Sequence, residues 1–227
     1  TDFVAKNASF QEFVANILKT ILKNKPANLD ELMASNYIDS NITLETKLKD
    51  MIFTIGEKIS IRRFVIVNGL TSTYIHGKGS IGVVVKYETD AAIAQKDEFA
   101  EFAKNIALQI AAYNVAYLNK ESVPASVINE EKAILIAQIK NDPVNSKKPD
   151  NIIEKMVVGR LGKFYENNCV LEQDYIKDDD IKVSKYIENT EKALGGKIKV
   201  VGFVRYEKEK KISLLKLQNS QANKICI

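Results

Sequence analysis

The sequence predicts an α+β protein, with helices and antiparallel strands grouped apart and an antiparallel helical hairpin between prolines. Three observations predict it. Apolar residues recur at helical spacing near the start of the chain and again over 98–112. β-Branched runs punctuated by glycine occupy 59–88 and 197–206. A helical pair over 124–165 is split by a polar linker with Pro143 and Pro149, and so short a connection favours antiparallel neighbours.

The elements follow in order. Ser9-Phe10-Gln11-Glu12 has the form of a capping box. Phe10, Phe13, Val14, Ile17, Leu18, Ile21 and Leu22 then mark an amphipathic helix over 10–23, and Pro26 stops its simple continuation. A short capped helix spans Asn28 to Ala34. The next runs from Thr43 to Ile55, with Leu44, Leu48, Met51, Ile52 and Ile55 on one face. Gly56 stands where a helix stops on a left-handed residue.

Ile59, Ile61 and Phe64 to Val67 read as a strand ending at Asn68-Gly69. Thr71 to Ile75 and Ile81 to Glu88 read as two strands joined through a glycine turn. The helix over 98–112 turns Phe99, Phe102, Ala103, Ile106, Ala107 and Ile110 inward. The hairpin helices are Pro124 to Lys140 and Asp150 to Tyr165. A last long helix is expected from Ile181 to Leu194, with Asp180 as its N-cap and Gly195-Gly196 at its end. Lys197 to Tyr206 reads as a strand. In the tail, Ile212, Leu214, Leu215 and Leu217 have the spacing of a short helix or of none.

Composition narrows the function classes. With 227 residues, 45% of them apolar, the chain can bury a core as one large or two small domains. The charge is +4, from 33 basic and 29 acidic residues, mixed along the chain rather than gathered on one face as a nucleic-acid binder would have it. The two cysteines, Cys169 and Cys226, have no metal-type spacing and fit a reducing compartment. No segment has the apolar length of a membrane span, and no signal peptide is evident. The chain opens on Thr rather than Met, as a fragment or processed form would. The reading is a soluble, intracellular protein.

Most candidate chemistry dissolves in its context. Gly77, Gly79 and Gly82 match GxGxxG, but a dinucleotide site needs that motif to open a helix, and here it opens a strand. The single histidine, His76, excludes a multi-His metal site. A nucleophile–base pair of Cys169 with His76 has no local support. Asp178-Asp179-Asp180 reads as a solvated loop or cap, and Arg62-Arg63 as a strand-edge ion pair. Two segments remain. Thr1-Asp2-Phe3-Val4-Ala5-Lys6-Asn7 puts an acid and an aromatic ahead of a helix, and Tyr74-Ile75-His76-Gly77 ends in a protruding turn. Together they point to a surface that works on another protein.

The same segments carry a family resemblance. The N-terminal block, Thr54-Ile55-Gly56-Glu57-Lys58-Ile59-Ser60-Ile61-Arg62-Arg63, Tyr74-Ile75-His76-Gly77 with Ile81-Gly82-Val83, Ile106 to Ala112, Glu154 to Leu161 and Gly202 to Glu207 resemble elongation factor Ts in order. The resemblance covers 1 to about 207 and begins after the family's N-terminal helical domain. It implies a two-part α+β core with an inserted coiled-coil hairpin. On this map 1–69 is the first core part, and 70–118 with 178–207 the second. The hairpin is then 119–177 and the tail 208–227.

It also implies a guanine-nucleotide exchange factor, not an enzyme, with no cofactor or metal of its own. The partner is elongation factor Tu, in its GDP-bound and nucleotide-free forms, with no membrane and no direct nucleic-acid contact. Thr1, Asp2, Phe3 and Val4 would disturb the partner's Mg²⁺ region, while Ile55, Gly56, His76, Ile176 and Lys177 match other contact positions. The hairpin can pack on itself, on the partner or on a second copy as a homodimer. Departures from the family pattern include Asn105 for Asp, Gln109 for His, Val115 and Asp174 for Pro, and Glu209-Lys210-Lys211 for Gly-Glu-Gly. The competing reading is an RNA-binding α+β module of the translation apparatus, which would bind RNA with a steep salt dependence.

Overall fold

The structure, a computed structural model, describes residues 1–208 and the backbone of 225–226. Its elements in chain order are α1 Asp2–Lys6, α2 Ala8–Asn24, α3 Leu29–Ala34, α4 Leu44–Ile55, β1 Val65–Ile66, β2 Leu70–His76, β3 Ile81–Thr89, α5 Ala91–Ala94, α6 Asp97–Ala112, α7 Ala125–Asn141, α8 Asp150–Asn168, β4 Asp174–Tyr175, β5 Asp178–Lys182, α9 Val183–Leu194, β6 Ile198–Glu207 and β7 Ile225–Cys226. This is the α+β class the sequence predicts. The chain divides into two compact units, the first running from Thr1 to Thr71 with β7, the second beginning at Ser72.

In the first unit, α2, α3 and α4 close around Phe13, Ile17, Ile21, Leu32, Tyr37, Leu44 and Leu48. All but Tyr37, which lies between α3 and α4, are positions that helical spacing brings to one face. Phe13 and Tyr37 stack within this core, ring centroids 5.9 Å apart. The buried Thr20 hydroxyl donates to Asn16 O at 2.8 Å and accepts the Ile38 N–H at 2.9 Å, so it carries no unmet hydrogen bond. Leu22, expected at the core face, is instead exposed.

Two expectations here are corrected. The cap of α2 is Asn7, whose Oδ1 accepts from Ser9 N and Phe10 N, not a box at Ser9; Asn7 also ends α1, so one residue serves both helices. Of the run Ile59 to Val67, only Val65–Ile66 is strand, paired antiparallel with Ile225–Cys226. Arg62 and Arg63 precede that strand rather than edging it.

In the second unit β2, β3 and β6 form one sheet in that order. β3 and β6 are antiparallel, from Ile81 opposite Glu207 to Thr89 opposite Ile198, with a bulge at Lys86/Tyr87. α6 packs on β3, and its predicted inward residues are all buried. The Tyr87 ring meets Phe99 and Phe102 edge-on, and its hydroxyl donates to Ala103 O at 3.0 Å.

The hairpin pair α7 and α8 has its own seam of Leu135, Ile139, Ile153, Val157 and Leu161. Past α8 the sequence reading needs a further correction. Asp178–Lys182 is strand β5, paired antiparallel with β4, and α9 starts only at Val183. Asp180 therefore lies in a strand and caps nothing. Lys182, which bonds Asp174 at 2.7 Å and Glu166 at 3.2 Å, ties that strand to its neighbours. The tail residues Ile212, Leu214, Leu215 and Leu217 lie outside the described residues.

Candidate functional site

Thr1 opens α1 as its N-cap, with Val4 N donating to the Thr1 hydroxyl at 3.4 Å. The same hydroxyl donates to Glu57 Oε1 at 2.7 Å, and the Thr1 nitrogen to Glu57 Oε2 at 2.8 Å. Glu57 follows Gly56, the left-handed stop of α4 at φ 76°. Two segments 56 residues apart in sequence are thus fastened to each other, and the fastening brings Asp2-Phe3-Val4 beside Ile55-Gly56. The Thr1 nitrogen first and the Thr1 hydroxyl second hold the Glu57 carboxyl below its ordinary value, because both donate to the charged form. Asp2 and Phe3 are exposed, Val4 and Ile55 half-buried, and Gly56 exposed. Phe3 as a whole residue is 88% exposed.

The sequence showed the Asp2-Phe3 pair but not that it would be helical. It also did not single out Phe53, on α4 and 91% exposed. Only its place outside the apolar period of that helix could have drawn notice.

In the second unit His76 ends β2 at an exposed position. The Tyr74 hydroxyl lies 3.3 Å from His76 Nδ1, so that nitrogen is engaged on the protein. The turn that follows has positive φ at Gly77, Lys78 and Gly79 in succession and leads into β3, not into a helix.

Ile176 and Lys177 form the two-residue turn between β4 and β5, both exposed. The turn is held from beneath by Gln109 of α6, which is fully buried. Its Oε1 accepts from Ile176 N, and its Nε2 donates to Asp174 O and to Gln173 Oε1. Asn105, one turn earlier, donates to the Tyr186 hydroxyl at 3.0 Å, and Tyr186 stacks on Tyr175 with centroids 4.1 Å apart.

A thiol enzyme has little to work with. Cys169 is buried, and burial, then the Glu172 charge, pushes its thiol up to about 11, so the nucleophilic thiolate is scarce. Its bridge partner is Tyr117, and His76 is engaged with Tyr74 instead. Among the described residues no cluster of three or more His, Cys, Asp or Glu could hold a metal ion, and no helix is long and apolar enough to cross a membrane.

The family profile described as Elongation factor TS matches residues 1–210. The chain belongs to the elongation factor Ts family. Elongation factor Ts of Syntrophotalea carbinolica is 39% identical over 210 residues, covering 91% of this chain and 67% of the relative. That of Clostridium kluyveri is 39% identical over 212 residues, 92% of this chain and 67% of the relative. That of Trichlorobacter lovleyi is 41% identical over 211 residues, 91% and 67%. Membership of the elongation factor Ts family makes the protein a translation elongation factor, acting in protein synthesis.

Proposed function

We propose that this member of the elongation factor Ts family is a guanine-nucleotide exchange factor for elongation factor Tu, acting in the cytoplasm without covalent chemistry. The observation that carries the reading is Phe3: a large aromatic left in water on a short helix, whose position is fixed by the Thr1–Glu57 bonds. Burying such a ring in a partner contributes roughly 1.5–3 kcal/mol. The ring can be used on a partner that offers an apolar slot only in its nucleotide-loosened form.

In this reading Thr1, Asp2, Phe3 and Val4 enter the nucleotide domain of elongation factor Tu and disturb the region that holds Mg²⁺ and phosphate. Ile55, Gly56, His76, Ile176 and Lys177 supply the remaining contacts. Such a factor works only through contacts that favour the loosened state. By linkage, GDP weakens the factor by the same ratio as the factor weakens GDP. Exchange is accelerated in both directions, and nucleotide concentrations decide which nucleotide rebinds.

The proposed organisation is 1–69 and 70–118 with 178–207 as the two core parts, 119–177 as the hairpin region and 208–227 as the tail. Exposed Ile134, Ile136, Ile152 and Val158 on α7 and α8 support the hairpin as the surface for a second copy. The deciding experiment is release of a fluorescent GDP from elongation factor Tu. The chain is expected to speed release, Phe3→Ala to remove most of that effect, and His76→Ala to reduce it. A folded native chain that leaves the release rate unchanged would overturn the proposal.

A further inference from the structure

We infer that Phe53 is a second aromatic anchor for the same protein partner that takes Phe3, an inference that rests on the exchange-factor reading above. The chain has nine phenylalanines. All but two are buried or half-buried, and those two are Phe3 and Phe53, at 88% and 91% exposure.

Both rings flank one fastening. Phe3 lies two residues after Thr1 and Phe53 four residues before Glu57, and Thr1 and Glu57 are joined through two hydrogen bonds. Two residues of chain reach at most about 7 Å, and from Phe53 to Ile55 the helix rises only about 3 Å before Gly56 ends it, so both rings start from backbone close to this fastening.

The exposure of Phe53 is set by the helix and not by a loose loop. Leu44 and Leu48 are buried and Met51 and Ile52 half-buried on the inner face of α4, which turns Phe53 outward. Nothing in helix formation asks for it there, because aromatic residues form helices less well than Ala or Leu. Its neighbours on the outer side are polar: Lys49 pairs with Glu45 at 2.6 Å, and the Thr54 hydroxyl donates to Asp50 O at 2.8 Å. A large aromatic held at a fixed exposed position with polar neighbours has the make-up of an interface anchor inside a polar rim.

The partner's chemistry follows from the surroundings. Near the two rings in sequence the acids Asp2, Asp50 and Glu57 alternate with Lys6, Lys49 and Lys58, a mixed rim that offers no basic stripe to nucleic-acid phosphate or to an anionic lipid surface. What fits is a folded protein with two apolar slots, spaced to take both rings at once.

The test titrates nucleotide-free elongation factor Tu with the full chain and with Phe3→Ala, Phe53→Ala and Phe53→Leu. Circular dichroism confirms that each is folded, as expected for substitutions at exposed positions. Phe53→Ala is expected to weaken binding about tenfold or more, with Phe53→Leu recovering part of the loss. If Phe3→Ala loses binding and Phe53→Ala keeps it, the inference fails while the exchange-factor reading stands. If neither variant changes binding, both fail. Sedimentation of the chain alone adds a separate check: a dimer that Phe53→Ala dissociates would assign the ring to a second copy and overturn the inference.

Discussion

Gln109 holds Ile176: the buried amide oxygen of α6 accepts the Ile176 N–H at 2.8 Å, while its nitrogen donates to Asp174 O and Gln173 Oε1, both at 3.1 Å. A long, uncharged amide can satisfy a backbone donor and a backbone acceptor of the β4–β5 hairpin together with the Gln173 side chain that precedes it. Replacing it with Leu keeps the volume but leaves those groups unmet in a buried site, at a cost of about 1–3 kcal/mol. Gln109→Leu is therefore expected to lower the urea midpoint and to release the Ile176 amide to fast hydrogen exchange. Lys177→Ala, on the exposed turn, is expected to leave both unchanged. Continued protection of the Ile176 amide in Gln109→Leu would show that the turn stands by itself.

The Thr1–Glu57 pair sets a pH dependence. The folded Glu57 carboxyl is held below its ordinary value of 4.5, first by the Thr1 nitrogen and then by the Thr1 hydroxyl. A depressed carboxylate stabilises above its unfolded value, and that contribution is lost as pH falls through the folded one. The hold on α1 is thus expected to be full at neutral pH and to loosen only below about 4.5. The Val4 amide resonance, followed through an acid titration, reports it. Glu57→Gln is expected to flatten that titration, and a midpoint at or above 4.5 would contradict the direction of the shift.

How much of this was legible in the sequence depended on how local the cause was. α4 was legible because Leu44, Leu48, Met51 and Ile52 repeat at helical spacing and Gly56 supplies the left-handed stop. α6 was legible for the same reason. β5 was not: Asp178–Lys182 becomes a strand through pairing with Asp174–Tyr175 and through the Lys182 ion pairs, which no local pattern carries. The true cap of α2 was missed because Asn7 and Ser9 both suit a cap, and α1, ending at Asn7, decides between them. Within the candidate site, the residue blocks were legible through family resemblance. The Thr1–Glu57 bonds and the Gln109 support were not, since both join segments far apart in the chain.

Cys169 should behave as a core residue. Its thiol is pushed up to about 11 from 9.0, first by burial and then by the Glu172 charge. A raised thiol stabilises below its unfolded value, and that stability is lost as pH rises from about 9 toward 11. Cys169→Ser is expected to leave exchange activity unchanged. Alkylation at Cys169, read by peptide mass spectrometry, is expected to be slow in the native protein and fast in urea. Rapid labelling of the native protein at neutral pH would revive the thiol reading.

Gly56 and Gly77 both sit in the left-handed region, at φ 76° and φ 57°, and a side chain there costs roughly 1–2 kcal/mol. They differ in space. A Cβ on Gly56 meets nothing within 4 Å, whereas one on Gly77 runs into the Ser80 hydroxyl. That hydroxyl donates to His76 O at 3.2 Å, so displacing it acts directly on the end of β2. Gly56→Ala is therefore expected to show the backbone cost alone, as a modest drop in melting temperature. Gly77→Ala is expected to drop it further and to move the His76 ring resonances. Equal losses for the two variants, with the His76 signals unmoved, would mean that the Ser80 bond has no part in holding His76 at the tip.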